Sequence, residues 1–291
     1  GVFTGALIFF YKWGAEFIAE LSGSIYAFVY SQPVFIPVML IGLVGLALIM
    51  AFFIKDAPAV SGGGIPTAEG ILRGLITFKW LRTFLSMIVN SYIAFFTGLP
   101  LGNEGPSVLI GTALGCGTNN LFNRTPAWDR YVMTGGAAAG FAVATGAPAT
   151  GIIFALEEVH KRFSPMILMV ALSSVVFASL TAEALSIIFG RTTAMFSLTA
   201  FPSVPVNLCW MAIVSGVGAG IIALLFIKGF TLMYKLLSEK IKAVSIEVKL
   251  IFLFGLGGTF ASFRGGQRPL RDRRNNDTRI FVVHDFNVAC G

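Results

Sequence analysis

Residues 102–114 read Gly102-Asn103-Glu104-Gly105-Pro106-Ser107-Val108-Leu109-Ile110-Gly111-Thr112-Ala113-Leu114. Two glycines, a carboxylate and a proline stand directly before an apolar run, which predicts a tight loop ending in Pro106 and a helix from Ser107 to Leu114. Glu104 then lies beside a helix N-terminus, where negative charge is stabilised and where a carboxylate can occupy an anion's place. Once protonated it loses that attraction and swings away. A side chain that competes with an anion in one protonation state and yields in the other is a gate. The same pattern also fits a capping carboxylate at a membrane surface, and this stretch alone leaves both readings open.

The surrounding composition sets the solvent. Of the 291 residues, 56% are apolar and only 12% charged, whereas soluble domains carry about a quarter charged residues. Mean hydropathy is +0.82. The 28 phenylalanines lie in long runs where a soluble core would need only a stripe, so lipid is the expected surroundings. The net charge of +7 is spread over short connectors (Arg73, Lys79 and Arg82; Arg124 and Arg130; Lys161 and Arg162), as in membrane-protein loops, which argues against nucleic acid as a partner. Cys116, Cys209 and Cys290 show no metal or redox spacing and no disulfide framework. The chain opens at Gly1 within a hydrophobic segment and shows no cleavable signal peptide, so it reads as a fragment.

Apolar stretches cover roughly 1–30, 34–55, 68–101, 107–122, 131–158, 165–190, 204–237 and 249–262. Some are too long for one perpendicular span of about 20 residues and others too short. Pro33, Pro37, Pro58, Pro66, Pro100, Pro106, Pro148 and Pro165 interrupt them. Tilted, broken or re-entrant helices account for the mixture, and irregular backbone at membrane depth is tolerated only where protein or a water-filled cavity covers it. For any one proline, an ordinary kink is the simpler account.

Two further constellations carry chemistry. Ser61-Gly62-Gly63-Gly64-Ile65-Pro66 precedes Thr67-Ala68-Glu69-Gly70. The glycines free the backbone, Pro66 suits a helix start, and the unpaired N–H groups there form an anion site without a formal cation. A flexible glycine-rich turn is the plainer alternative. Gly146-Ala147-Pro148-Ala149-Thr150-Gly151 leads into an apolar helix closed by Glu157 and Glu158. Acids at a helix C-terminus are electrostatically disfavoured, and acids at membrane depth are costly and usually functional. The pair reads either as a proton-transfer site or as interfacial anchors neutralised by His160, Lys161 and Arg162.

Taken together, GGGIP, GNEGP and GAPATGIIFALEEV, in this order and at these separations, resemble the CLC anion channels and transporters. SVLIGTALG and YVMTGGAAAGFAVATGAP around them fit as well, and the resemblance covers roughly residues 1–260. It implies an all-α integral membrane fold, an inverted-repeat bundle of tilted, broken helices, with this chain supplying the first repeat and the start of the second. It implies a homodimer in lipid, each subunit with its own pathway for chloride or a related anion and for protons. By motif matching, Glu104 is the external gate, Glu158 the internal proton-transfer residue and Glu157 its neighbour. Gly62, Gly63, Gly64, Ile65 and Pro66 line the anion site through their backbone, with Gly102, Asn103, Gly105 and Pro106 beside them. Simple channels of the family carry an apolar residue at the Glu158 position, so exchange of chloride for protons, in a plasma (inner) membrane, is the function implied. A passive channel and a truncated non-transporting protein are the alternatives.

The departures are specific. The family's anion-binding serine falls at Gly63, its basic residue before EGP at Asn103, and a frequent lysine of the preceding helix at Met87. The GxFxP loop and the late pore-lining tyrosine of the second repeat are absent, which predicts poor stability in detergent for the chain by itself. From Phe263 the sequence reads FRGGQRPLRDRRNNDTRIFVVHDFNVACG. A solvated, disordered charged tail and a non-native stretch, translated out of frame or past a misplaced gene end, both fit residues 263–291, with the non-native reading favoured, separate from a partial membrane domain over 1–262. With His160 and His284 the only histidines, no nucleophile–base pair or metal cluster is visible. Neither glycine loop continues into the Lys-Ser/Thr pair of a phosphate cradle. No cofactor, no metal and no enzymatic chemistry are expected.

Overall fold

The computed structural model describes residues 1–99, 101–122, 126–161, 163–190, 209–241 and 245–266. Among these, all regular structure is helical: α1 Val2–Ser31, α2 Ile36–Asp56, α3 Ile65–Leu72, α4 Trp80–Phe96, α5 Glu104–Leu121, α6 Pro126–Thr145, α7 Pro148–Phe154, α8 Pro165–Phe189, α9 Cys209–Ile241 and α10 Ile246–Gly266. Val2–Ser31, Pro33–Asp56, Pro165–Phe189 and Val214–Lys235 are long and apolar enough to cross a membrane. The prolines mostly begin helical segments. Pro37, Pro66, Pro148 and Pro165 occupy the first turns of α2, α3, α7 and α8, where a missing N–H leaves no bond unmade. Pro100 lies outside the described residues.

Two apolar runs that hydropathy leaves whole are each two helices. The 68–101 run breaks between α3 and α4, where Gly74 takes φ +76° and Arg73 and Lys79 reach the surface region. The 131–158 run breaks at Gly146, with φ +68°, before Pro148 restarts the chain as α7. At the C-terminal end α10 runs on to Gly266, past the expected boundary at 262, and residues 267–291 lie outside the described residues.

The core is a helix pair in contact along its backbone. α5 packs most extensively on α6, and α1, α4 and α8 sheathe the pair. Val108, Leu109, Ile110 and Ala113 of α5 and Ala137, Ala138 and Ala139 of α6 are wholly buried. The approach is set by glycine: a side-chain carbon on Gly136 would overlap the Gly111 carbonyl, and one on Gly115 would stand 2.6 Å from Met133 Cα. Close packing through small residues is how helices associate in lipid, where apolar burial alone gives little drive. The threonine hydroxyls on these helices donate to their own backbone, Thr112 to Val108 O at 2.8 Å and Thr134 to Arg130 O at 2.7 Å, which satisfies them inside an apolar medium. α9 departs from this pattern, since none of its side chains between 214 and 235 is buried. An apolar helix so exposed is tolerable in lipid and costly in water.

Candidate functional site

The first glycine motif forms the start of α3. A single 3-10 turn, Pro58–Ser61, leads to Gly62 in extended conformation, and Gly64 caps the helix with φ +78°. Ile65 N donates to Gly63 O at 3.0 Å and Ala68 N to Gly64 O at 2.9 Å, while Pro66 sits in the first turn. A left-handed φ would strain any other residue at Gly64. Space forbids one as well, since an added carbon there would overlap the backbone of Gly105. Reciprocally, a carbon on Gly105 would run into the Gly63 carbonyl. The first and second motifs, 41 positions apart, therefore meet backbone to backbone.

The second motif is more helical than its sequence indicates. α5 begins at Glu104, ahead of the expected Ser107, and continues to Leu121. Asn103 caps it by its backbone, accepting from Ser107 N at 3.1 Å, and Pro106 takes the third helical position. Glu104 is the first residue of the helix and half-buried. Its carboxylate folds back across Gly102, whose missing side chain leaves that space. The carboxylate thus sits at the positive end of α5, close to where α3 also begins.

The third motif separates from these two along its own helix. Ala147 is extended, Pro148 starts α7, and after Phe154 the helix widens into one π-turn, Ala155–Val159. Ala155 and Val159 are buried, while Glu157 and Glu158 of the same turn are exposed. From Pro148 to Glu158 the rise is about 15 Å. Two of the expected neutralisers, His160 and Lys161, have other contacts as well. A ring nitrogen of His160 lies 2.9 Å from Thr134 Oγ1, and Lys161, with φ +52°, turns its Nζ to Glu69 Oε1 at 3.6 Å. Glu69 also pairs with Arg73, one turn along α3, and Arg162 lies outside the described residues. α3 thus starts against the Glu104 loop, and its last turn is tied to the residue three places past Glu158. Glu157 and Lys161 also border a shallow, mainly apolar depression lined by Ile153, Leu156 and Phe163.

Of the family positions occupied differently, Gly63 has room. An added carbon there meets only Pro66 Cδ at 3.6 Å and Cγ at 3.8 Å, which is ordinary contact. Met87 is buried, 6% exposed, in the main core. One charged residue in the interior of the helix bundle escaped the motif reading. Lys12 of α1 donates to Ala144 O at 3.1 Å and Val143 O at 3.4 Å. The signal for it was present, a lysine in the middle of FFYKWGA in the first apolar run.

A family model described as "Voltage gated chloride channel" matches residues 14–284. The H(+)/Cl(-) exchange transporter ClcA of Citrobacter koseri is 32% identical over 200 residues, 66% of this chain and 40% of that protein. ClcA of Salmonella arizonae is 32% identical over 209 residues, 69% of this chain and 41% of the relative. The chain therefore spans about two-fifths of the length of these curated relatives. Among solved structures, a slow cyanobacterial Cl-/H+ antiporter superposes with a TM-score of 0.77 at 27% identity, over 90% of this chain and 62% of the other. A eukaryotic CLC transporter shares the fold, with a TM-score of 0.66 at 20% identity over 91% of this chain and 47% of the other. The family match, the all-helical fold and its apolar membrane-length helices agree, and the chain belongs to the voltage-gated chloride channel (CLC) family of integral membrane proteins.

Proposed function

We propose that the protein exchanges chloride or a related anion for protons across a membrane, with Glu104 as the anion-competing gate and Glu158, assisted by Glu157, as the proton-transfer site at the other end. The observation that carries this reading is the placement of Glu104. Its carboxylate stands at the first residue of α5, where the backbone of that helix start meets the start of α3. Ionised, it takes the anion's place before two positive helix ends; protonated, it gives the place up. The exchange named for the similar ClcA proteins supports the proton half of the cycle. A homodimer in the plasma (inner) membrane, each subunit with its own pathway, belongs to the same proposal, as does assembly of the anion site from the backbone of Gly62, Gly63, Gly64, Ile65 and Pro66 with Gly102, Asn103, Gly105 and Pro106 beside it.

The test is the pH dependence of anion flux in proteoliposomes. One titrating gate changes flux by up to about tenfold per pH unit. Glu104→Gln, neutral at every pH, is expected to flatten that response to less than about twofold between pH 4.5 and 7.5. A mutant profile as steep as the parent's rules Glu104 out as the gate.

The open space at Gly63 gives a second expectation. Gly63→Ser adds a first side-chain carbon in ordinary contact and carries a hydroxyl into the glycine loop. A hydrogen bond to a charged partner contributes about 1.5 kcal/mol, so chloride should bind roughly tenfold tighter. Calorimetric titration of chloride into the purified protein reads this directly, and unchanged affinity removes Gly63 from the anion site.

A further inference from the structure

The chain does not leave the Glu157–Glu158 turn in a regular way. Ala155–Val159 is a π-turn, a local widening frequent at functional sites. Two residues later Lys161 takes φ +52°, the one non-glycine residue in the left-handed region among those described. A lysine keeps that conformation only where its surroundings impose it. Two side chains tie this stretch to neighbouring helices. A ring nitrogen of His160 lies 2.9 Å from Thr134 Oγ1 of α6, and Lys161 Nζ lies 3.6 Å from Glu69 Oε1 of α3.

α3 is a firm support for the second of these ties. Glu69 is half-buried and also pairs with Arg73, which stands at the C-terminal end of α3, where a cation is favoured. Beyond Arg73 the backbone folds back on the helix, with Gly74 N donating to Ile71 O at 2.9 Å and Leu75 N to Gly70 O at 2.8 Å. At its other end α3 is fixed against α5, where Gly64 has no room for a side chain beside Gly105. The rise from Ile65 to Glu69 is about 6 Å, so one short helix separates the glycine loop from the tie to Lys161.

We propose that Lys161 is a positioning residue for proton transfer: its ion pair with Glu69 holds the chain just after Glu158 on α3, and so keeps the Glu158 carboxyl in fixed register with the anion loop that begins that helix. This rests on Glu158 being the proton-transfer residue. Val159 anchors the turn in the core, and Lys161 fixes its outer edge. Proton delivery by a side chain depends on its distance and angle, so a turn freed at that edge passes fewer protons per anion.

The experiment measures protons moved per chloride in proteoliposomes, with chloride and pH electrodes on the same sample. A loss of folded protein lowers both fluxes and leaves this ratio unchanged. Lys161→Asn removes the charge but tolerates the left-handed backbone. An exposed ion pair biases its held arrangement by up to about fivefold, so the ratio should fall by about two- to fivefold. Lys161→Arg keeps the charge and should restore the parent ratio. Glu69→Gln breaks the pair from the other side, should lower the ratio as much, and reads the same tie if Lys161→Asn does not fold. The double variant should be no lower than either single one. If Glu158→Ala abolishes proton movement while Lys161→Asn and Glu69→Gln keep the parent ratio, the role of Lys161 is refuted and the proton site stands. A fall in only one of these two folded variants, or a fall that Lys161→Arg shares, refutes it as well. If Glu158→Ala leaves the ratio intact, both readings fall.

Discussion

Glu158→Ala is expected to abolish proton movement while anion flux continues. Glu158 lies in the π-turn after α7, exposed, with its neighbours Ala155 and Val159 holding the turn in the core. Removing an exposed side chain there should change stability by less than about 0.5 kcal/mol, so a functional loss would not be a folding loss. Alanine can neither accept nor release a proton. The proton:anion ratio should therefore fall by about a hundredfold or more, the lower end of what a positioned proton-transfer group contributes. Glu157→Ala should lower the ratio only partly, because the neighbouring carboxylate remains. Simultaneous chloride and pH electrode recordings on the same liposomes give both fluxes. Stoichiometric proton movement persisting in Glu158→Ala would remove this residue from the proton route.

The largest structural effect is expected at Gly136. Its backbone lies against the Gly111 carbonyl, so even one added carbon overlaps main-chain atoms that cannot rotate aside. Overpacking a tight core costs about 1 to 3 kcal/mol when side chains can adjust, and here backbone must move. Gly136→Ala should lower the melting temperature measurably, and Gly136→Leu should leave no monodisperse protein by gel filtration. Gly220 of α9 has nothing within 4 Å of an added carbon, so Gly220→Leu provides the control and should behave like the parent. Equal tolerance of leucine at both positions would contradict the α5–α6 contact as described.

The parts of the fold that could be read from sequence are those whose cause is local. Gly64, Pro66, Glu104 and Pro148 announce helix starts through their own backbone chemistry, and the structure starts helices at or beside each of them. The break between α3 and α4 was hidden because hydropathy records what faces lipid, and Leu75, Ile76 and Phe78 keep the run apolar while the chain turns at Gly74. The beginning of α5 was placed three residues late, because a proline at the third position is compatible with a helix already under way. What lay beyond reach was contact between distant positions. The Gly64–Gly105 approach, the Lys161–Glu69 pair and the reach of Lys12 to Ala144, 132 residues away, are facts of packing. Lys161 illustrates the difference. Proximity in sequence offered it as one neutraliser of Glu157 and Glu158, whereas in the fold its Nζ lies 3.6 Å from Glu69 Oε1 of α3.

The most direct test of exchange is to load proteoliposomes with chloride, dilute them into low-chloride medium at equal pH, and follow external pH as chloride leaves. Exchange predicts that chloride efflux drives protons inward against the gradient they build, so the medium turns alkaline, and that a protonophore collapses the signal. Chloride efflux with no proton movement under the same gradient would contradict exchange and establish passive conduction instead.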